Sequence, residues 1–239
     1  MSWHLKRMAA FDLETTSVDP ETARIVTACI VQVGGGQPPQ PANWVADPGV
    51  EIPEEAAKIH GYTTERARTE GRPAIEVIEE ITAALGWILA HGIPIVAMNA
   101  RYDLTVLDRE CRRRGLPTLS DRYVDDVLWP VIDPFVIDKQ VDRYRRGKRN
   151  LTALCEHYKV KLDGAHDSAA DAIAAARVAW RLGATRPELA AMDIEALHHA
   201  QIKWAAEQAA SLQAHFRKTD PQAYCAPEWP LIPHQRRES

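Results

Sequence analysis

The 239-residue chain has no closely spaced pair of cysteines. Its four, Cys29, Cys111, Cys155 and Cys225, lie far apart, which excludes a CxxC redox centre and a zinc knuckle. The first three fall in apolar-periodic segments and read as buried free thiols, suited to a reducing cytoplasm. No apolar run approaches membrane-spanning length, so no membrane partner is expected. Residues Met1 to Arg7 lack the apolar stretch of a secretion signal, and a cytoplasmic location is the expectation. Positive charge is not in excess either. The 29 Lys and Arg against 33 Asp and Glu leave a formal net charge of −4. That excludes a whole-protein basic field, so any contact with nucleic acid needs a local patch. There is no internal repeat. The length fits one full-sized domain with an appendage, or two small domains, and is ample for a substantial core.

The first third reads as strands. Met8 to Leu13 is one. Ile25 to Val33 is a second, ending at the turn Gly34-Gly35-Gly36, and Asn43 to Ala46 a third, closed by Asp47-Pro48-Gly49. An antiparallel meander is the simplest arrangement. Helices then dominate. Pro53 opens a short one through His60. Pro73 opens another with Ile75, Ile78, Ile81, Leu85 and Ile88 on one side. Ile93 to Ala97 suits a buried strand. Asn99 is placed to cap the next helix, whose core stripe is Leu104, Leu107 and Cys111. Further helices are expected over Pro134–Tyr144, Leu151–Tyr158 and Ser168–Leu182. Strands followed by alternating strand and helix predict an α/β domain with a mixed sheet over residues 1–183. Pro187 starts a long helix, so residues 184–218 form a helical extension. Residues 219–239, with Pro221, Pro227, Pro230 and Pro233, form a Pro-rich tail on which Trp229 and Leu231 are free to dock.

Five side chains in three local contexts carry the chemistry. Asp12 and Glu14 stand two apart on the first strand, so they share a face about 7 Å apart at the backbone, with Phe11 and Leu13 turned the other way. Two carboxylates so placed converge on a hard cation, though a polar outer strand face has the same pattern. Thr15 and Thr16 follow and offer hydroxyls and amides to a nucleotide. Asp103 stands early in its helix, where an acid also complements the helix dipole. His166 and Asp171 on one helix would diverge by about 140°. They meet only if His166 precedes the helix and Asp171 lies in its first turn, although Ser168-x-x-Asp171 also resembles a capping box. Arg143-Tyr144-Arg145-Arg146-Gly147-Lys148-Arg149 holds five cations in seven residues. It is either a solvated face or a phosphate clamp through Arg145, Arg146, Lys148 and Arg149, with Tyr144 for stacking.

Taken in order, Asp12-x-Glu14-Thr15-Thr16, Asn99-Ala100-x-Tyr102-Asp103 and His166-x4-Asp171 resemble the DnaQ-like, or DEDDh, 3′–5′ exonucleases, over Met8 to Leu182. Ile59-His60-Gly61-Tyr62-Thr63 and Asn150-Leu151-Thr152-Ala153-Leu154 resemble further landmarks of that family. Met98, Tyr102, Ser17 and Ser168 depart from its usual residues without touching the five core positions. The resemblance implies a ribonuclease H-like fold and metal-dependent hydrolysis from a 3′ end to nucleoside 5′-monophosphates, as in proofreading or repair. It implies two Mg²⁺ or Mn²⁺ ions held by Asp12, Glu14, Asp103 and Asp171, with His166 as the base. Thr15, Thr16 and Asn99 would touch substrate. DNA is expected in preference to RNA, and a DNA polymerase or replication protein is the partner class. The rivals are an exoribonuclease of the same family and a non-catalytic nucleic-acid-binding scaffold acting through the C-terminal helix. Four intact acids argue against the scaffold. The residues after Gly183 lie outside the resemblance and carry no clamp-binding motif. Because all five core residues precede Gly183, they are expected to be separable from the chemistry provided the helix does not cover a large apolar face, which Trp204 and Phe216 could do.

Overall fold

The computed structural model describes residues 2–122, 128–162 and 168–234. Three strands form an antiparallel meander, β1 (Arg7–Thr15), β2 (Ile25–Gly34) and β3 (Gln40–Asp47). The Gly34-Gly35-Gly36 turn has positive φ at all three positions. A Cβ on Gly34 would lie 2.6 Å from the Lys6 carbonyl oxygen, so glycine is required there. Helices α1 (Glu54–His60) and α2 (Thr64–Glu70) follow, then the two-residue strand β4 (Arg72–Pro73), parallel to β3, and helix α3 (Ala74–Ala90). Strand β5 (Ile95–Val96) lies parallel to β1 and leads into α4 (Ala100–Arg113). Strand β6 (Val131–Ile132) lies parallel to β5 and leads into α5 (Pro134–Val141). Helices α6 (Leu151–Tyr158), α7 (Ser168–Thr185), α8 (Pro187–Ala190) and α9 (Ile194–Phe216) complete the chain. The sheet order is β4-β3-β2-β1-β5-β6, a mixed sheet with helices on both faces.

Period-two alternation decides what each face of β1 meets. Ala9, Phe11 and Leu13 enter one core with α3 and α4, where Val77, Ile78, Ile81, Leu85, Leu104 and Leu107 are buried. Ala10 faces the opposite way and packs with Cys29 and Val31 of β2 against Ala172 and Ala176 of α7. Alanine at those helix positions allows close approach to the sheet. A third cluster joins Val96 and Ile132 to α5, α6, α7 and Leu197 of α9.

The structure departs from the expected elements in several places. Helix α2 and strand β4 had no expected counterpart, and α5 ends at Val141 rather than Tyr144. Ile75 is 48% exposed, because Ala74, Val77 and Ile78 set the inward direction of α3. The long C-terminal helix starts at Ile194 rather than Pro187, with Asp193 accepting a hydrogen bond from the Ala196 amide (2.7 Å) and α8 preceding it as a single turn. Strand β6 had no recognisable pattern, being two residues long. The C-terminal segment is also built into the domain. Gln201 is fully buried, donates from Nε2 to the Val131 carbonyl (3.0 Å) and accepts from the Asp133 amide (2.7 Å), thereby pairing the open edge of β6. His198 beside it accepts from the Val131 amide (3.3 Å). Trp229 of the tail enters the same core as Phe11.

These contacts tie the stability of the domain to its C-terminal segment. Trp229→Ala should cost about 3–5 kcal/mol, the usual range for emptying a buried Trp site. Urea unfolding of the full chain and the variant measures it. A loss under 1 kcal/mol would show that the tail merely rests on the domain.

Candidate active site

The acids gather at the carboxyl ends of the parallel strands. Asp12 and Glu14 follow Ala10 on the face of β1 that looks toward α7, while buried Phe11 and Leu13 anchor the strand in the opposite core. Asp12 stands opposite Cys29 and Glu14 opposite Thr27. The register then shifts between Glu14 and Thr15, a bulge that bends the strand just after the acid pair. Asp171 lies in the first turn of α7, one residue before Ala172, which packs on Ala10 and Cys29. The same contact that seats α7 therefore brings Asp171 to the Asp12 end of the sheet. Burial pushes the nearby Cys155 thiol up to about 11, and the charge of Asp171 adds to that rise.

Asp103 arrives from the other side, on the first turn of α4. Its Oδ1 accepts from the Leu13 amide (3.2 Å), so the third acid is fastened to the backbone between the first two. It is 5% exposed. Burial holds its carboxyl well above the usual range. Hydrogen bonds from Leu13 and its own amide counter that in part, and the charges of Asp133 and Glu14 reinforce it.

Asp133 is a component that the sequence reading missed. Asn99 adopts a left-handed conformation and makes no side-chain cap on α4, contrary to expectation. Asp133, at the end of β6, does that work instead. It accepts from the amides of Asn99 (3.0 Å) and Ala100 (3.0 Å), caps its own helix at Phe135 (2.9 Å), and accepts from Trp229 Nε1 (3.2 Å). Burial raises its pKa, and these four donors oppose the rise. The available signal was Asp133-Pro134, an N-cap followed by proline at the first helical position.

A cavity of 600 Å³ opens beside the acids, lined by Glu14, Thr15, Thr16, His60, Asn99 and Tyr102, among others. The Tyr102 hydroxyl donates to the Ser17 carbonyl and shares a hydrogen bond with Thr15 Oγ1, fixing the turn after β1. Burial pushes its phenol up to about 12, so it stays neutral. Thr16 accepts from the Arg24 amide (3.0 Å), which ties its hydroxyl into that turn. Burial holds His60 below its ordinary pKa. His166 lies outside the described residues.

The basic run has a mixed disposition. Arg145 (2.7 Å) and Arg149 both pair with fully buried Asp138 of α5, which also accepts from the Tyr158 hydroxyl (2.7 Å). Two of the four expected phosphate ligands thus neutralise an interior acid, and their reach to a substrate is restricted. Arg146 and Lys148 remain exposed.

A family model described as an exonuclease, RNase T, matches residues 9–179. The chain belongs to that exonuclease family. It is 25% identical over 169 residues to a PolC-type DNA polymerase III of Streptococcus thermophilus strain ATCC BAA-491 / LMD-9, covering 70% of this chain and 10% of that protein. Escherichia coli exonuclease I in complex with a dT13 oligonucleotide superposes with a TM-score of 0.64 at 18% identity, over 77% of this chain and 42% of that one. Exonuclease I of Methylocaldum szegediense gives 0.60 at 22% identity, over 77% and 41%. The chain thus spans about a tenth of the polymerase's length and about two fifths of either exonuclease I.

Among the described residues, no three acid, histidine or cysteine side chains form a finished ion cage. The donors of this exonuclease-family site nevertheless suit a divalent ion. They are all carboxylates, the ligands of hard cations, and Asp103 is buried against the charges of Glu14 and Asp133.

Because its folded pKa is raised, Asp103 binds its proton more tightly in the folded state than in the unfolded one. It favours folding at low pH, and that contribution is lost as pH rises from about 4 through the raised value. Asp103→Asn should therefore raise the melting temperature at neutral pH in chelator, flatten its fall with pH and blunt the rise caused by Mn²⁺. Melts from pH 4 to 7.5 test this. A variant that melts lower at pH 7 and shifts equally with Mn²⁺ would contradict it.

Proposed function

We propose that the chain is a 3′–5′ exonuclease that releases nucleoside 5′-monophosphates from the 3′ end of DNA, using Mg²⁺ or Mn²⁺. The observation that carries this reading is that Asp103 of α4 accepts from the Leu13 amide between Asp12 and Glu14 of β1, while α7, with Asp171 in its first turn, packs on the face of β1 that bears those two acids, beside an open cavity. Membership of the exonuclease family supports the reaction class. The oligonucleotide held by exonuclease I and the polymerase relatives support DNA as substrate and a replication or repair setting, with a DNA polymerase as a partner class. A cytoplasmic site of action accords with the free cysteines.

Bound divalent ions supply positive charge for the attacking and leaving oxygens of the displacement. Asp12, Glu14, Asp103 and Asp171 would hold the ions through their carboxylates. His166 takes a proton from the water as its oxygen bonds to phosphorus. The bond from phosphorus to the 3′ oxygen breaks, and that oxygen leaves with the remaining strand and gains a proton from solvent. General base catalysis of this kind contributes roughly 10²–10⁴ in rate. Thr15, Thr16 and Asn99 line the space for the terminal nucleotide. Tyr102 shapes it through the Thr15–Ser17 turn.

Matched 5′-labelled DNA and RNA oligomers with Mg²⁺ or Mn²⁺ test the proposal. A ladder shortening from the 3′ end, with DNA cut faster, is expected. His166→Ala should retain Mn²⁺ binding in calorimetry and lose roughly 10²-fold or more in turnover. Faster cutting of RNA would transfer the same mechanism to an exoribonuclease. No nucleotide release from either polymer would refute the reading.

A further inference from the structure

The cavity beside the acids continues past Asn99. A second cavity of 260 Å³ shares Asn99 with it and lies between α5 and α9, and a third of 390 Å³ shares Lys139, Gln208 and Leu212 with the second. The second and third form a cleft along α5 that starts at Asn99, beside the acid-site cavity, and reaches the 142–149 loop. Its walls belong to α5 on one side and to α9 with Cys225 and Trp229 of the tail on the other. The C-terminal segment thus supplies half of a surface that the family match, ending at residue 179, does not include.

The cleft is lined by cations and one open aromatic ring. Arg101 stands at the inner end and donates to the Ala226 carbonyl (2.7 Å). Lys139 stands midway, half-buried over the Phe135 ring (4.9 Å). Among the described residues it has no carboxylate within ion-pair distance. Burial pulls its pKa down, and Arg149 and Arg101 add to that, so the site disfavours an extra proton charge and favours an incoming anion. At the outer end, Arg143 is exposed and Tyr144 is 89% exposed. Two acids line the cleft. Asp133 is buried with its oxygens engaged by amides and Trp229, and Glu207 is exposed on α9. A neutral amide, Gln208, donates to the Val136 carbonyl (2.9 Å) across the cleft and ties its two walls together.

We propose that the α5–α9 cleft binds the single strand 5′ of the scissile bond, with Arg101, Lys139 and Arg143 on successive phosphates and Tyr144 stacked on a base. This rests on the proposed nuclease reading and extends it by making the C-terminal extension part of the substrate track. The eight residues of α5 span about 12 Å, which corresponds to about three or four nucleotides at a stacked spacing near 3.4 Å. A trinucleotide therefore fills the acid site and barely enters the cleft, whereas a 12-mer occupies all of it.

The test uses the full chain and two variants. Lys139→Met keeps the packing on Phe135 and removes the charge. Arg143→Ala with Tyr144→Ala alters only exposed side chains, so its folding is not at issue. Binding of labelled dT3 and dT12 is measured by anisotropy in chelator, alongside kcat/KM on the same oligomers with Mg²⁺. Each variant should weaken dT12 binding about tenfold, leave dT3 binding within twofold, and flatten the log–log salt dependence of dT12 binding by about 0.7 for each lost phosphate contact. Equal loss on both lengths, or no loss on dT12, would overturn the proposal. The nuclease reading fails separately, through absence of nucleotide release, and the anisotropy arm still decides the cleft in that event.

Discussion

The site depends on one interaction, the hydrogen bond from the Leu13 amide to the buried carboxylate of Asp103. It joins the strand that carries two of the acids to the helix that carries the third. Without it, Asp103 would be an acid early in a helix with no reason to turn inward. With it, a carboxylate is held in the interior close to Glu14 and Asp133, where its ionised form is unfavourable. The fold holds this charge in place through the packing of α4 on Phe11 and Leu13. A site so built has a standing affinity for positive charge, which is the property that metal-dependent phosphodiester cleavage requires.

That arrangement extends outward through Asp133. Its oxygens fix the amides of Asn99 and Ala100 and so set the start of α4, while Trp229 and Gln201 fix Asp133 itself. The chain of contacts runs from the tail, through the end of β6, to the helix that presents Asp103. The C-terminal segment is therefore a structural partner of the acid site and one wall of the adjoining cleft. Ion pairing deepens the same logic at α5. Asp138 is buried and draws Arg145 and Arg149 inward, which shapes the loop that bears Arg143 and Tyr144.

Much of this was legible in the residues. The meander was readable because Ile25 to Val33 and Met8 to Leu13 combine β-branched and apolar content with strong turn signals. Helix α6 matched Leu151–Tyr158 because Asn150 caps it, accepting from the Ala153 amide (3.0 Å). The shared face of Asp12 and Glu14 was legible from the two-residue period, with Phe11 and Leu13 buried in the opposite core. Strand β6 was not found, since two residues carry no period. Asp133 was hidden with it, because its partners lie 33, 34 and 96 residues away in sequence. The inward pairing of Arg145 and Arg149 within the basic run was hidden for a related reason. Local charge density does not reveal a buried acid such as Asp138, whose burial comes from tertiary packing. The docking of Trp229 was legible as a large apolar side chain in a proline-rich tail, but its hydrogen bond to Asp133 was not.

Proton release on metal binding tests the central claim most directly. If the Asp103 carboxyl is held above its usual range by burial and by its acidic neighbours, a divalent ion must displace its proton on binding. Calorimetric titration of Mn²⁺ near pH 6, in buffers of different ionisation enthalpy, counts those protons. The account predicts measurable release by the wild-type chain, falling as pH rises, and release greatly reduced in Asp103→Asn. Binding with no proton release, or with equal release in the two proteins, would contradict it.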